Sequence, residues 1–279
     1  MTSLSVGVYE KALPAGPWPK MLDDAAAAGF HFVEMSLDES PARLRRLAWT
    51  ASERRDLVAA GVATGCPVRS LTLSAHRTHP LGHPDPDARA YSLELLVDAV
   101  RLATDLGAAV LQVAGYVVYD QPRLPDARRW FVDGLRHGAE LAAELDVVLG
   151  LENVDGRDVL GMDDALGVIE EVGSDRLRPY PDVGNLAANE RHVIGELRSG
   201  LDLAVGLHLK DARPGEFRRV PFGEGTVPFG AIFDLLFERT TSLPLVIEMW
   251  NDDGDPLLAA RALEWVSDRM DDAGGVRER

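Results

Sequence analysis

A chain of 279 residues with 46% hydrophobic and 27% charged residues can bury a large core without staples and is too ordinary in composition for a disordered, collagenous or coiled-coil protein. Its one cysteine, Cys66, excludes an intramolecular disulfide framework and any paired-cysteine zinc or redox motif. A formal charge of −16 repels a phosphate backbone, so nucleic acid is not an expected partner, and the lack of a leader in Met1–Lys20 and of any 18-residue apolar run predicts a soluble, cytoplasmic protein with no membrane partner.

In chain order, a first strand is expected over Ser5–Glu10, then a helical stretch closed by Gly29. A second strand follows over Phe32–Leu37. Cys66 and Pro67 precede a third, Val68–Ser74, where Cys66 reads as a small packed residue. Leu95, Ala99, Leu102 and Leu106 share one helical face, ended by Gly107, before the strand Ala109–Gly115. Pro125 and Asp126 start a helix with Phe131, Leu135, Ala139 and Ala142 on its apolar face. Strands are then expected over Val147–Asn153, Leu177–Asp182, Leu203–Lys210 and Leu245–Trp250. Asp271–Arg279 reads as a polar, frayed tail.

Several of these runs are almost continuously apolar, as strands covered on both faces must be. Eight strands alternating with seven or eight helices, roughly 25–40 residues apart, match a single (β/α)8 TIM barrel spanning residues 1–279. A doubly wound sheet would usually carry a glycine-rich turn after its first strand, but Tyr9–Pro14 is no such turn.

In a barrel the C-terminal strand ends converge on one site. They supply Glu10 and Lys11; Glu34 and Ser36; Ser74, His76 and Arg77; Gln112 and Tyr116; Glu152 and Asn153; Asp182 and Asn185; His208, Lys210 and Asp211; and Glu248 and Trp250. Glu152, Asp182, His208 and Glu248 come from the last four strands in order. Three carboxylates and an imidazole make an oxygen-rich site for one divalent cation, Mn²⁺ or Mg²⁺, that tolerates Zn²⁺ or Co²⁺; four unrelated, solvated strand ends are the alternative. The chain has only three lysines, Lys11, Lys20 and Lys210, and two lie at strand ends. His76 and Arg77 either bind substrate or cap the third strand. His79 and His83 read as surface residues, and His31, His137 and His192 as helix or loop edges. Gly223-Glu224-Gly225 is either a backbone phosphate cradle or a plain turn, and Arg218 and Arg219 an anion site or a solvated edge.

Six segments, Tyr9–Pro14, Phe32–Ser36, Leu73–Arg77, Tyr180–Asn185, Val220–Gly225 and Ile247–Trp250, together resemble the L-ribulose-5-phosphate 3-epimerases, also called L-xylulose-5-phosphate 3-epimerases, within the xylose-isomerase-like barrels. The resemblance runs from about Val6 to Met270. It implies metal ligands at Glu152, Asp182, His208 and Glu248, with Glu152 and Glu248 as the acid/base pair. Related epimerases of free ketoses carry a histidine where this chain has Asn185, and an arginine that Arg213 only approximates; both departures favour a phosphorylated sugar as the small-molecule partner. Lys11, His76, Arg77, Asn185 and Lys210 are the candidate substrate contacts.

Inverting C3 of a 2-ketose removes a proton beside a carbonyl. A divalent cation stabilises the enediolate while two carboxylates on opposite faces take and return the proton, an effect of roughly 10²–10⁴-fold. An aldose–ketose or hexulose-6-phosphate isomerase, an epimerase of a free ketose, a polyol dehydratase and a sugar-binding pseudoenzyme are the alternatives on the same site. A repair endonuclease would need more histidines and a basic groove. A homodimer is compatible with such a barrel, though no sequence feature fixes one.

Overall fold

The computed structural model describes residues 4–239 and 242–275. Its strands are β1 (Val6–Tyr9), β2 (Phe32–Ser36), β3 (Val68–Leu73), β4 (Val110–Ala114), β5 (Val148–Glu152), β6 (Leu177–Tyr180), β7 (Leu207–Leu209), β8 (Asp211–Arg213), β9 (Glu216–Val220) and β10 (Leu245–Ile247). The helices are α1 (Trp18–Ala28), α2 (Pro41–Leu44), α3 (Ala51–Thr64), α4 (Pro86–Leu106), α5 (Ala127–Glu144), α6 (Met162–Val172), α7 (Val183–Ala188), α8 (Val193–Gly200), α9 (Phe229–Glu238) and α10 (Leu258–Gly275).

Eight strands form one parallel sheet in the order β6-β5-β4-β3-β2-β1-β10-β7. An isolated parallel bridge between Asp182 and His208 joins its two ends, so the barrel closes where two of the expected metal ligands stand. The larger apolar cluster lies between sheet and helices and includes Val33, Met35, Leu71, Leu149, Leu207 and Leu209. Side chains alternate along each strand, so Phe32 and Val246 point inward and form a small interior cluster with Tyr9. Both predicted helical faces are buried, Leu95, Ala99, Leu102 and Leu106 on α4 and Phe131, Leu135, Ala139 and Ala142 on α5. Each fully buried Leu or Phe contributes about 1.5–3 kcal/mol. Gly29 and Gly107 end their helices in the left-handed conformation, with φ of 98° and 69°, as a C-terminal glycine does.

Three segments differ from expectation. The seventh strand is shorter than Leu203–Lys210 because Leu201–Leu203 is a 3-10 turn. Strands β8 and β9 form an antiparallel hairpin outside the barrel sheet. Helix α10 continues through Gly275, so the first five residues of the expected tail are helical; residues 276–279 lie outside the described part. Among the described residues no helix is long and apolar enough to cross a membrane.

Candidate active site

Glu152 is the last residue of β5, and Glu248 directly follows β10. His208 is central in β7, pointing into the barrel while Leu207 and Leu209 pack outward. Asp182 caps α7: its Oδ1 accepts the Asn185 backbone N–H at 2.9 Å. The cap leaves Oδ2 turned to the cluster, buried and without a hydrogen-bond donor. Asn153 locks this arrangement, accepting the Asp182 N–H at 2.8 Å and donating to the Asp182 carbonyl at 3.1 Å. One ligand atom from each of Glu152, Asp182, His208 and Glu248 lies within 4.8 Å of the others, and all four residues are buried.

Two cations stand among the carboxylates. Lys210 Nζ lies 2.6 Å from Asp182 Oδ2, outside hydrogen-bonding geometry, and donates to Glu248 Oε2 at 2.8 Å. His208 Nδ1 is 2.7 Å from Glu152 Oε1, and its Nε2 is 2.6 Å from Glu34 Oε1. Burial disfavours the charge on His208, but the Glu34 and Glu248 charges and the hydrogen bonds to Glu152 and Glu34 hold its pKa well above the ordinary range. Burial likewise opposes the charge on Lys210, yet Asp182, Glu248 and Glu152 raise its pKa. Burial pushes the Glu152 carboxyl up to about 7 despite its bond to His208, and raises Asp182 against the pull of Lys210. At Glu248 burial is outweighed by the Lys210 and His208 charges, which draw it down to about 2.

Counting Glu34, four buried carboxylates face one ammonium and one imidazolium. The carboxylates outnumber the cations, and a divalent ion bound here would take the place of the His208 Nδ1 proton and offset the remaining negative charge. The donor set of three carboxylate oxygens and an imidazole nitrogen suits a hard or borderline divalent ion. The residues present therefore fit a metal.

A cavity over the cluster is lined by Glu152, Glu248, Asn185, Lys210, Lys11 and Arg77, together with Tyr116, Arg218 and Trp250. Of the five expected substrate contacts it thus gathers four. Lys11 pairs with Asp38 at 2.6 Å. The Asn185 amide donates to the Asn153 carbonyl at 2.8 Å. Arg77 Nη2 donates to the Tyr116 hydroxyl at 3.1 Å, while its buried Nε has no hydrogen-bond partner. Tyr116 bonds Asp155, which also holds Arg218 at 3.3 Å.

His76 corrects the expectation. Its ring is buried beneath α4, where Nε2–H donates to the Ser92 carbonyl at 3.1 Å, and it does not line the cavity. The Gly223-Glu224-Gly225 segment is a turn: its Gly223 and Gly225 N–H groups both donate to Asp211 Oδ2 at 2.9 Å, leaving no amide cradle for phosphate. Sequence reasoning gave no role to Glu34, although it contacts His208. Burial raises Glu34, but the His208 charge and hydrogen bonds from His208, Thr72 and Ser70 bring its pKa below the ordinary carboxylate value. A charged residue inside the apolar strand Phe32–Ser36 was the available signal.

Residues 22–269 match the family model described as xylose isomerase-like TIM barrel. The L-ribulose-5-phosphate 3-epimerase UlaE of Escherichia coli K12 is 43% identical over 276 residues, covering 98% of this chain and 97% of that protein; the Escherichia fergusonii protein of the same name gives the same figures. Among solved structures, an L-ribulose 3-epimerase superposes with a TM-score of 0.83 at 20% identity over 99% of this chain and 97% of that one. A D-psicose 3-epimerase from Clostridium cellulolyticum H10 gives 0.81 at 14% identity over 96% and 99%. At such identities these structures speak to the fold.

Proposed function

We propose that this chain, which belongs to the xylose isomerase-like TIM barrel family, is an L-ribulose-5-phosphate 3-epimerase that interconverts L-ribulose 5-phosphate and L-xylulose 5-phosphate by proton transfer at C3. The observation that carries the reading is the convergence of Glu152 and Glu248 with Asp182 and His208 on one buried point. The chain's similarity to curated enzymes of that name supports the substrate.

Glu152, Asp182, His208 and Glu248 would hold one divalent cation, Mn²⁺ first among the candidates. Bound there, it supplies positive charge for the substrate oxygens that become negative as the C3 proton leaves. The remaining work belongs to side chains. Glu152 and Glu248 come from strands separated around the barrel by β6 and β7, so they approach the substrate from different sides, and one takes the proton while the other returns it. Gln112 Nε2 donates to Glu152 Oε2 at 2.5 Å and Lys210 to Glu248, which fixes both carboxylates before substrate arrives. Asn185, Lys11 and Lys210 face the sugar hydroxyls. Arg77, with its free Nε, and Arg218 at the mouth receive the phosphate, a task suited to a planar guanidinium.

Assay of chelator-treated protein reloaded with Mn²⁺, Co²⁺, Zn²⁺ or Mg²⁺ tests this reading. L-Ribulose 5-phosphate should epimerise at C3 faster than free L-ribulose. An aldose phosphate as sole product would replace epimerase with isomerase.

A further inference from the structure

We propose that Glu34 is a positioning residue for the metal centre, holding His208 in the one orientation and tautomer that presents Nδ1 to the cation. The inference rests on the reading of the Glu152, Asp182, His208 and Glu248 cluster as a divalent-metal site.

Glu34 lies inside the barrel, fully buried, and is not a member of that cluster. Its carboxylate has four partners. Ser70 Oγ and the Tyr180 hydroxyl donate to Oε2 at 2.8 and 2.9 Å. Thr72 Oγ1 donates to Oε1 at 2.7 Å, and His208 Nε2 stands 2.6 Å from the same oxygen. These partners come from β3, β6 and β7, so the carboxylate is held from three strands. A buried carboxylate is costly unless satisfied, and here each oxygen has two partners.

The two imidazole nitrogens of His208 point to different neighbours. Nδ1 faces Glu152, within the cluster, and Nε2 faces Glu34, outside it. A ring that donates Nε2–H to Glu34 keeps the Nδ1 lone pair for a cation. Carboxylates placed behind metal-bound histidines fix the ring and raise its basicity, and their loss typically weakens binding 10–100-fold. Tyr180 holds both partners at once: its hydroxyl reaches Glu34, and its ring meets the His208 ring edge-on at 4.8 Å and 70°. Space for that ring comes from Gly150 and Gly206, where a Cβ would lie 2.7 and 2.3 Å from Tyr180 ring atoms.

The test is Mn²⁺ and Zn²⁺ affinity, measured by competition with a chromophoric chelator, for the wild type, Glu34→Gln and Tyr180→Phe, together with ¹⁵N spectra of the histidines in Zn²⁺-loaded protein. Glu34→Gln should weaken both metals about 10–100-fold and move the His208 Nε2–H signal, and Tyr180→Phe should give a smaller loss in the same direction. Should Glu34→Gln fail to fold, Tyr180→Phe decides alone, because it leaves the carboxylate and three of its four partners. Wild-type affinity together with an unchanged His208 signal in the variants that fold would overturn the proposal. A wild type that binds neither metal would instead overturn the metal-site reading beneath it.

Discussion

Lys210 Nζ donates to Glu248 Oε2 at 2.8 Å with both side chains almost wholly buried. The same ammonium lies 2.6 Å from Asp182 Oδ2, so one cation serves two carboxylates of the proposed metal cluster. Breaking such a buried pair by removing one partner costs about 3–5 kcal/mol. A divalent ion would restore the missing charge. Lys210→Met should therefore lower the melting temperature most in chelator, and the rise on adding saturating Mn²⁺ should exceed that of the wild type. Equal Mn²⁺-induced shifts in the two proteins would contradict this account of Lys210.

Arg77 is the proposed phosphate contact with a donor to spare. Its guanidinium lies over the Tyr116 and Tyr119 rings at 5.4 and 5.5 Å, and Arg77 and Tyr116 both line the cavity. Charge-assisted hydrogen bonds contribute about 1.5–3 kcal/mol, so Arg77→Ala should raise KM for L-ribulose 5-phosphate roughly 10–100-fold. Turnover of free L-ribulose should change little. Steady-state kinetics on both sugars decides, and equal losses on both would place Arg77 outside phosphate recognition.

His76 gives the fold a pH dependence of its own. Burial lowers its pKa from 6.5 to about 4 despite the bond to Ser92. The folded protein keeps the ring neutral while the unfolded chain protonates it near 6.5, so the stabilisation is complete above that pH. It is lost progressively down to about pH 4 and then stays constant. The displacement corresponds to about 3 kcal/mol, of which about 2 kcal/mol is gone by pH 5. Guanidinium unfolding in chelator at pH 7.5 and 5 should show a shallower loss for His76→Gln than for the wild type. Parallel losses would assign the acid sensitivity elsewhere.

The barrel was legible because its strands announce themselves twice. Most are short apolar runs, since helices cover one face and the barrel interior the other, and most end on or are directly followed by a polar residue at the rim of the site. Glu152 and Glu248 follow that pattern at strand ends, and Asp182 follows it as a helix cap just past β6. His208, between two outward leucines, could be placed by alternation alone. Glu34 was not legible as a second support, because Ser70, Thr72 and Tyr180 reach it from strands far away in the chain. His76 failed for a simpler reason: a residue just past a strand end can turn to the mouth or to the helix layer, and a carbonyl on α4 decides which. The β8–β9 hairpin escaped notice because its strands are short and partly solvated. The amides of Gly223 and Gly225 were already taken by Asp211, a partner 12 and 14 residues away.

Two-base inversion at C3 is tested most directly by ¹H and ¹³C NMR of L-ribulose 5-phosphate incubated in D₂O with the Mn²⁺-loaded protein, with the metal removed before spectra are recorded. The account predicts L-xylulose 5-phosphate carrying deuterium at C3. Glu152→Gln and Glu248→Gln should each lose epimerisation by about 10²–10⁴-fold, while exchanging the C3 proton of only one of the two sugars. Deuterium at another carbon, an epimer free of deuterium at C3, or near-normal epimerisation by either variant would contradict it.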